Sequence, residues 1–206
     1  IEAGVLPVKQ RVFANGESLF VNLCYVGFTG DIQGPHIHQI PEEYAEFMLA
    51  AYQHMDQKYG FVPDAIEVIL EPDLSPHWDG TWIGKAIVAT GQRLEQAGYT
   101  PRFIAPSTTD MRNAVSYFDD LEDVDGATDY MYEISYHRYK GNSDSKNVLK
   151  KLVARAQKYD LGTSMLEWWF GHANHEVLHE DLKRGHNTAW QGRELRDLFT
   201  VHNPKS

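Results

Sequence analysis

Ala65-Ile66-Glu67-Val68-Ile69-Leu70-Glu71-Pro72-Asp73 decides how the rest of the chain is read. Residues 65–70 are mostly apolar and partly β-branched, the length and composition of a buried strand. A glutamate and then a proline end the run. The next periodic segment, residues 82–97, has helical spacing and stops at Gly98. A short apolar run followed by an amphipathic helix is a βα unit, and the same unit recurs on either side. Upstream, residues 19–28 form a strand and residues 41–59 a helix, with Pro41 in its first turn and Glu42 and Glu43 near its positive end. Downstream come a strand at 101–105 ending in Pro106-Ser107-Thr108-Thr109, a short helix at 110–119 and a strand within 130–139. A helix at 147–159, a strand at 163–168 and a helix at 175–184 follow. Alternation of this kind predicts an α/β protein with a parallel sheet.

The chain has 206 residues, with no linker, solenoid repeat or low-complexity tract, so one domain over residues 1–206 is expected. A closed eight-stranded barrel takes about 250 residues, and five such units do not close one. The expected fold is therefore a TIM-barrel-type (β/α) fold that is incomplete. Open sheet edges would invite self-association or a complementary fragment. A formal charge of −10 and a pI near 5.4 argue against a nucleic-acid partner, which needs clustered Lys and Arg. No apolar run is long enough for a membrane span, and the start at Ile1 lacks the basic-then-apolar pattern of a signal peptide. Cys24, the single cysteine, lies in an apolar run and reads as a small packed hydrophobe.

In barrels of this kind the chemistry sits at the C-terminal ends of the strands. Two strand runs end there in glutamate, Leu70-Glu71-Pro72 and Leu166-Glu167-Trp168. Two carboxyl groups about 5–5.5 Å apart can share the work of breaking an acetal, one protonating the leaving oxygen and one attacking carbon. The competing reading is that each is a strand-end residue in an ion pair.

Around these glutamates the sequence resembles a known group. Leu70-Glu71-Pro72-Asp73, Trp78-Asp79-Gly80-Thr81-Trp82, Ser135-Tyr136-His137-Arg138-Tyr139 and Leu166-Glu167-Trp168-Trp169 look like the clan A retaining glycoside hydrolases, which carry catalytic glutamates after barrel strands four and seven; the detail is most similar to family 30. The resemblance spans residues 19–170. It implies Glu71 as acid/base, Glu167 as nucleophile, a β-linked carbohydrate substrate, no cofactor and a secreted or cell-surface setting. The strands present would be numbers three to seven, with strand eight absent or reduced to Thr188-Ala189-Trp190. The clan has asparagine before the acid/base to bond the sugar's 2-hydroxyl; here that position is Leu70.

Sugar sites pair flat aromatic rings with a few hydrogen-bonding groups. Trp78 in its loop, and Trp168 or Trp169, are therefore candidate platforms, while Trp82 in a helix reads as core. His137 and Tyr139 alternate on one strand face and are candidates for bonding the nucleophile or the substrate; Asn22, Tyr25, His36 and His38 are further mouth residues. One rival motif is His175-Glu176-Val177-Leu178-His179, the H-E-x-x-H pattern of zinc peptidases. It lacks the extended form, since Leu182 and Gly185 stand where glycine and histidine are wanted. No metal is expected at the glutamates. A non-catalytic carbohydrate-binding or interaction module is the remaining alternative.

Overall fold

The structure, a computed structural model, describes residues 1–27, 36–168 and 174–192. Its elements run α1 (Val5–Ala14), β1 (Asn22–Cys24), α2 (Pro41–Tyr59), β2 (Ala65–Glu67), α3 (Gly80–Gln96) and β3 (Phe103–Asp110). They continue through α4 (Asn113–Glu122), β4 (Met131–Lys140), α5 (Ser145–Tyr159), β5 (Gly162–Glu167), α6 (His175–Arg184) and β6 (Ala189–Trp190). The strands form one sheet in the order β1-β2-β3-β4-β5-β6, every pair parallel. Each new strand is laid beside the last, without the reversal that marks a doubly wound sheet. The result is a curled half-barrel with helices on one face, an incomplete TIM barrel.

The expected βα units are present, with corrections at their boundaries. α1 is additional, and exposed Val8 and Phe13 lie on it. β1 and β2 are shorter than their apolar runs because the ladder loosens toward the C-terminal end. Bonds still continue there, from Tyr25 N to Glu67 O at 3.1 Å and from Leu70 N to Tyr25 O at 2.9 Å. β3 runs past Ala105 to Asp110, and α4 accordingly starts three residues later than expected. The polar tail of β3 stays in the sheet because its side chains are paired. Ser107 and Ser135 hydroxyls meet at 2.7 Å, and Thr108 Oγ1 bonds Asp110 O at 2.9 Å. The weak segment near Ala189 is a sixth strand, paired with β5.

Local signals explain the helix ends. Asp79 caps α3 by accepting from Trp82 N at 2.7 Å, and Asn174 caps α6 by accepting from Glu176 N and Val177 N. α2 stops where Gly60 turns left-handed at φ 69°. The main core lies between sheet and helices. Ile66, Val68, Phe103, Ile134, Tyr136 and Met165 from the strands pack against Tyr44, Met48, Ile83, Ile87, Phe118 and Leu149 from the helices. A smaller cluster, Ala65, Ile104 and Leu166, contains no helix residue and lines the opposite, concave face. Successive strand residues face opposite ways. Glu67, beside Ile66 and Val68, and His137, beside Tyr136, are therefore on the concave face.

Candidate active site

Glu71 ends the β2 run in a left-handed turn, φ 49° and ψ 55°, a conformation uncommon for a residue with a side chain. The turn is held from both sides. Glu71 N bonds Ser107 O at 3.1 Å. Asp73, two residues on, accepts from Thr109 N at 2.8 Å, Asp110 N at 3.0 Å and Asn113 Nδ2 at 3.0 Å. The loop carrying Glu71 is thus bolted to the end of β3. Glu167 closes β5, half-buried, three strands away.

Between them β4 contributes two side chains. His137, fully buried, sets Nδ1 3.0 Å from Glu71 Oε1. Tyr139 donates its hydroxyl to Glu167 Oε1 at 2.6 Å. Glu71, His137 and Glu167 each bring an oxygen or ring nitrogen to within 4.8 Å of the others, so the two carboxylates face one another over one small space. A trio this compact has the donor types a divalent cation accepts. Here, however, one oxygen of each carboxylate and one ring nitrogen already bond within the protein.

Nine chains of solved structures match this architecture. The catalytic domain of GH30 xylanase C from Talaromyces cellulolyticus superposes with a TM-score of 0.55 at 16% identity, covering 74% of this chain and 38% of that one. The likeness is one of fold, a partial (β/α) barrel. Fungal beta-1,4-galactanase gives a TM-score of 0.53 at 12% identity, covering 80% of this chain and 56% of that one. A conserved exported protein from Bacteroides fragilis gives 0.61 at 11% identity, covering 89% and 50%. The chain thus spans 38% to 56% of the length of these structures. No family model and no curated protein sequence matches it.

Within this fold the glutamates, His137 and Tyr139 come together, while two tryptophans stand apart from them. Trp78 is only 2% exposed: its Nε1 donates to Gly27 O at 3.0 Å, and its ring packs on Tyr25 and Trp82. It is core, because its indole is held between the Gly27 carbonyl and the Tyr25 and Trp82 rings. Trp168 is also buried, with the Arg138 guanidinium 5.9 Å over its ring on the helix side. Trp169 lies outside the described residues. Trp82 is core as expected, donating to Gln39 O at 2.8 Å. Asn22 reaches the concave face, while Tyr25 packs against Tyr44 and Phe47 of α2 and accepts or donates at His38 Nδ1 over 2.7 Å.

The H-E-x-x-H segment is helical, but His175 and His179 are exposed, and among the described residues no third ligand joins them. α6 serves another purpose. Its Asp181, wholly buried, accepts from Arg138 Nε and Nη2, Tyr136 Oη and Trp190 Nε1. Glu180 takes Arg138 Nη2 as well, at 2.9 Å. Alternation along β4 thus sends His137 and Tyr139 to the concave face and Tyr136 and Arg138 into α6.

Sequence reading missed Glu67 and Asp73. Glu67 shares its face with Ala65 and accepts from Asn22 Nδ2 at 2.9 Å. Cys24 sits beside it; burial first, and then the Glu67 carboxylate, push the thiol far above its usual range, so it remains S–H. The parity of Glu67 was readable from its strand, but its neighbours depend on the register of three other strands.

Proposed function

We propose that this chain carries the catalytic face of a retaining glycoside hydrolase acting on a β-linked glycan. The observation that carries the reading is the pair of carboxylates, Glu71 and Glu167, with oxygens within 4.8 Å at the C-terminal ends of β2 and β5. Retaining enzymes need about 5–5.5 Å between the two groups; inverting ones leave about 6.5–9.5 Å for a water. The structural neighbours named xylanase and beta-1,4-galactanase support a β-linked polysaccharide as the substrate class.

Glu167 attacks the anomeric carbon. Tyr139 occupies its Oε1, which leaves Oε2 as the attacking atom and holds the carboxylate plane. Glu71 gives its proton to the departing oxygen as that C–O bond breaks. In the second step Glu71 takes a proton from water as the water oxygen displaces Glu167 from carbon. His137 orients Glu71 through the 3.0 Å contact. The residues supply acid, base and nucleophile, so the mechanism uses no cofactor.

The test is hydrolysis of an aryl β-glycoside by the full chain and by Glu71→Gln and Glu167→Gln. The expected outcome is loss of turnover in both, with the β-anomer as the first product in the unaltered protein by proton NMR. Retained hydrolysis in both variants sinks the assignment. Saturable glycan binding without any hydrolysis by the unaltered chain instead makes the protein a binding module.

A further inference from the structure

Two buried polar atoms beside the site have no role in that mechanism. His137 uses Nδ1 on Glu71, but its Nε2 has no hydrogen-bond partner among the described residues. Glu67 gives Oε2 to the Asn22 amide; its Oε1 is equally without a partner and stands 3.9 Å from that Nε2. Both side chains are buried, 3% exposed for Glu67 and 0% for His137. Buried polar atoms left unpaired are costly, and these two face each other. Closing the gap by about 1 Å makes an ordinary N–H···O bond. The other groups against Glu67 carry no charge: the Asn22 amide and the Cys24 thiol. Of the described residues, His137 Nε2 is the unpartnered buried nitrogen that faces Oε1.

We propose that Glu67 is a positioning residue for the acid/base: by accepting from Nε2–H it fixes the His137 tautomer whose Nδ1 takes a hydrogen bond from the Glu71 carboxyl. A neutral imidazole has a single N–H. With that proton committed toward Glu67, the hydrogen in the 3.0 Å contact belongs to Glu71, which is the state the first step requires. Once Glu71 has passed its proton to the leaving oxygen, the Nδ1 lone pair confronts a carboxylate. The confrontation is relieved when water returns a proton to Glu71. The chain of atoms Glu67–His137–Glu71 thus favours the protonated acid at the start and end of each cycle, and no net proton crosses it. This inference rests on the reading of Glu71 as acid/base.

Glu67→Gln inverts the arrangement. Asn22 already donates to Oε2, so a glutamine keeps its carbonyl there and turns its NH2 to Nε2, moving the ring proton to Nδ1. The experiment is long-range 1H–15N NMR of His137 in the 15N-histidine-labelled full chain, which reads the tautomer without substrate. The expected result is Nε2–H in the unaltered chain and Nδ1–H in Glu67→Gln. Hydrolysis is then compared on a dinitrophenyl and an alkyl β-glycoside, because general-acid help matters only for the poor leaving group. General acids contribute about 10²–10⁴-fold, so the loss in Glu67→Gln is expected to be at least tenfold larger on the alkyl substrate. An Nδ1–H tautomer in the unaltered chain overturns the proposal, even if the variant does not fold. Equal losses on both substrates make Glu67 merely structural and overturn it too. The Nε2–H tautomer in a chain that hydrolyses neither substrate leaves the Glu67–His137 pair standing and sinks the glycosidase reading instead.

Discussion

Asp181→Leu tests the joint between α6 and the sheet. Asp181 is 0% exposed and holds Arg138 through Nε at 3.0 Å and Nη2 at 2.8 Å, together with the Trp190 indole at 2.8 Å. Removing it leaves a guanidinium, itself 2% exposed, with Glu180 as its remaining carboxylate. Breaking a buried pair from one side costs about 3–5 kcal/mol. Glu180, still 2.9 Å away, offsets part of this, so about 3 kcal/mol is expected. For a chain of this size each kcal/mol lowers the Tm by about 2–4 °C, giving a fall of about 6–12 °C. Arg138→Met combined with Asp181→Leu removes both charges and recovers part of the loss; Tyr136 keeps the Asn187 amide at 3.2 Å, while the Trp190 donor stays unpaired. Urea unfolding of the single and double variants closes the cycle, with a coupling of about 2–3 kcal/mol expected. A Tm change under about 3 °C, or coupling under about 1 kcal/mol, refutes the claim that this ion pair anchors α6.

Tyr139→Phe deletes a hydrogen bond to a charged acceptor, worth about 1.5–3 kcal/mol, and is expected to lower kcat/KM on an aryl β-glycoside by about 10- to 150-fold. A loss under about threefold means Tyr139 does not steady the nucleophile. Gly80→Ala places a methyl carbon 2.2 Å from the Tyr117 carbonyl oxygen, so α3 and α4 must part; a destabilisation of about 1–3 kcal/mol should appear as a lower urea midpoint, and an unchanged midpoint contradicts the packing. Hydrogen bonds from Arg112 hold the Asp110 carboxyl below its usual range. At Glu180, burial pushes upward but is outweighed by the bonds from Arg138 and Ser145, with a net lowering. Both carboxyls bind protons more readily unfolded than folded. Their stabilisation is therefore present above the ordinary carboxylate range and lost as pH falls through the depressed folded values. Thermal midpoints should fall on acidification from about pH 5, less steeply in Arg112→Met; identical slopes would contradict the Asp110 assignment.

The units that were legible in the sequence are those whose signals are local. The run 65–70, the proline and acids opening α2 and the Gly98 stop beyond α3 each report on a few neighbouring residues, and they placed the strands and helices in order. The paired glutamates were legible because strand ends are where barrel chemistry gathers. What failed was long-range or depended on which way a side chain turned. Trp78 looked like a loop aromatic because sequence does not show a loop folding back to give Gly27 O to its indole. Asp181 was hidden inside a zinc-peptidase pattern, and its partner Arg138 lies more than forty residues earlier. The polar residues after Ala105 were read as the end of the strand, because the Ser107–Ser135 bond that keeps them in the sheet crosses between strands. Glu67 read as one more strand residue, since its approach to His137 spans β2, β3 and β4.

Trp168 repays a closer look, because simple alternation would have sent it the other way. In the β4–β5 ladder Met165 pairs with Tyr136, but Glu167, not Leu166, pairs with His137. β5 therefore carries an extra residue at Leu166, and both Leu166 and Glu167 reach the concave face. Without that bulge the period of two would send Glu167 toward α6 and bring the Trp168 indole into the mouth. The bulge thus decides whether a carboxylate or an indole stands beside Tyr139 on the concave face. Deleting Leu166 would take out the extra residue and still leave Glu167 opposite His137, so the facing of the acid survives a shorter strand and is lost only by regular pairing at full length.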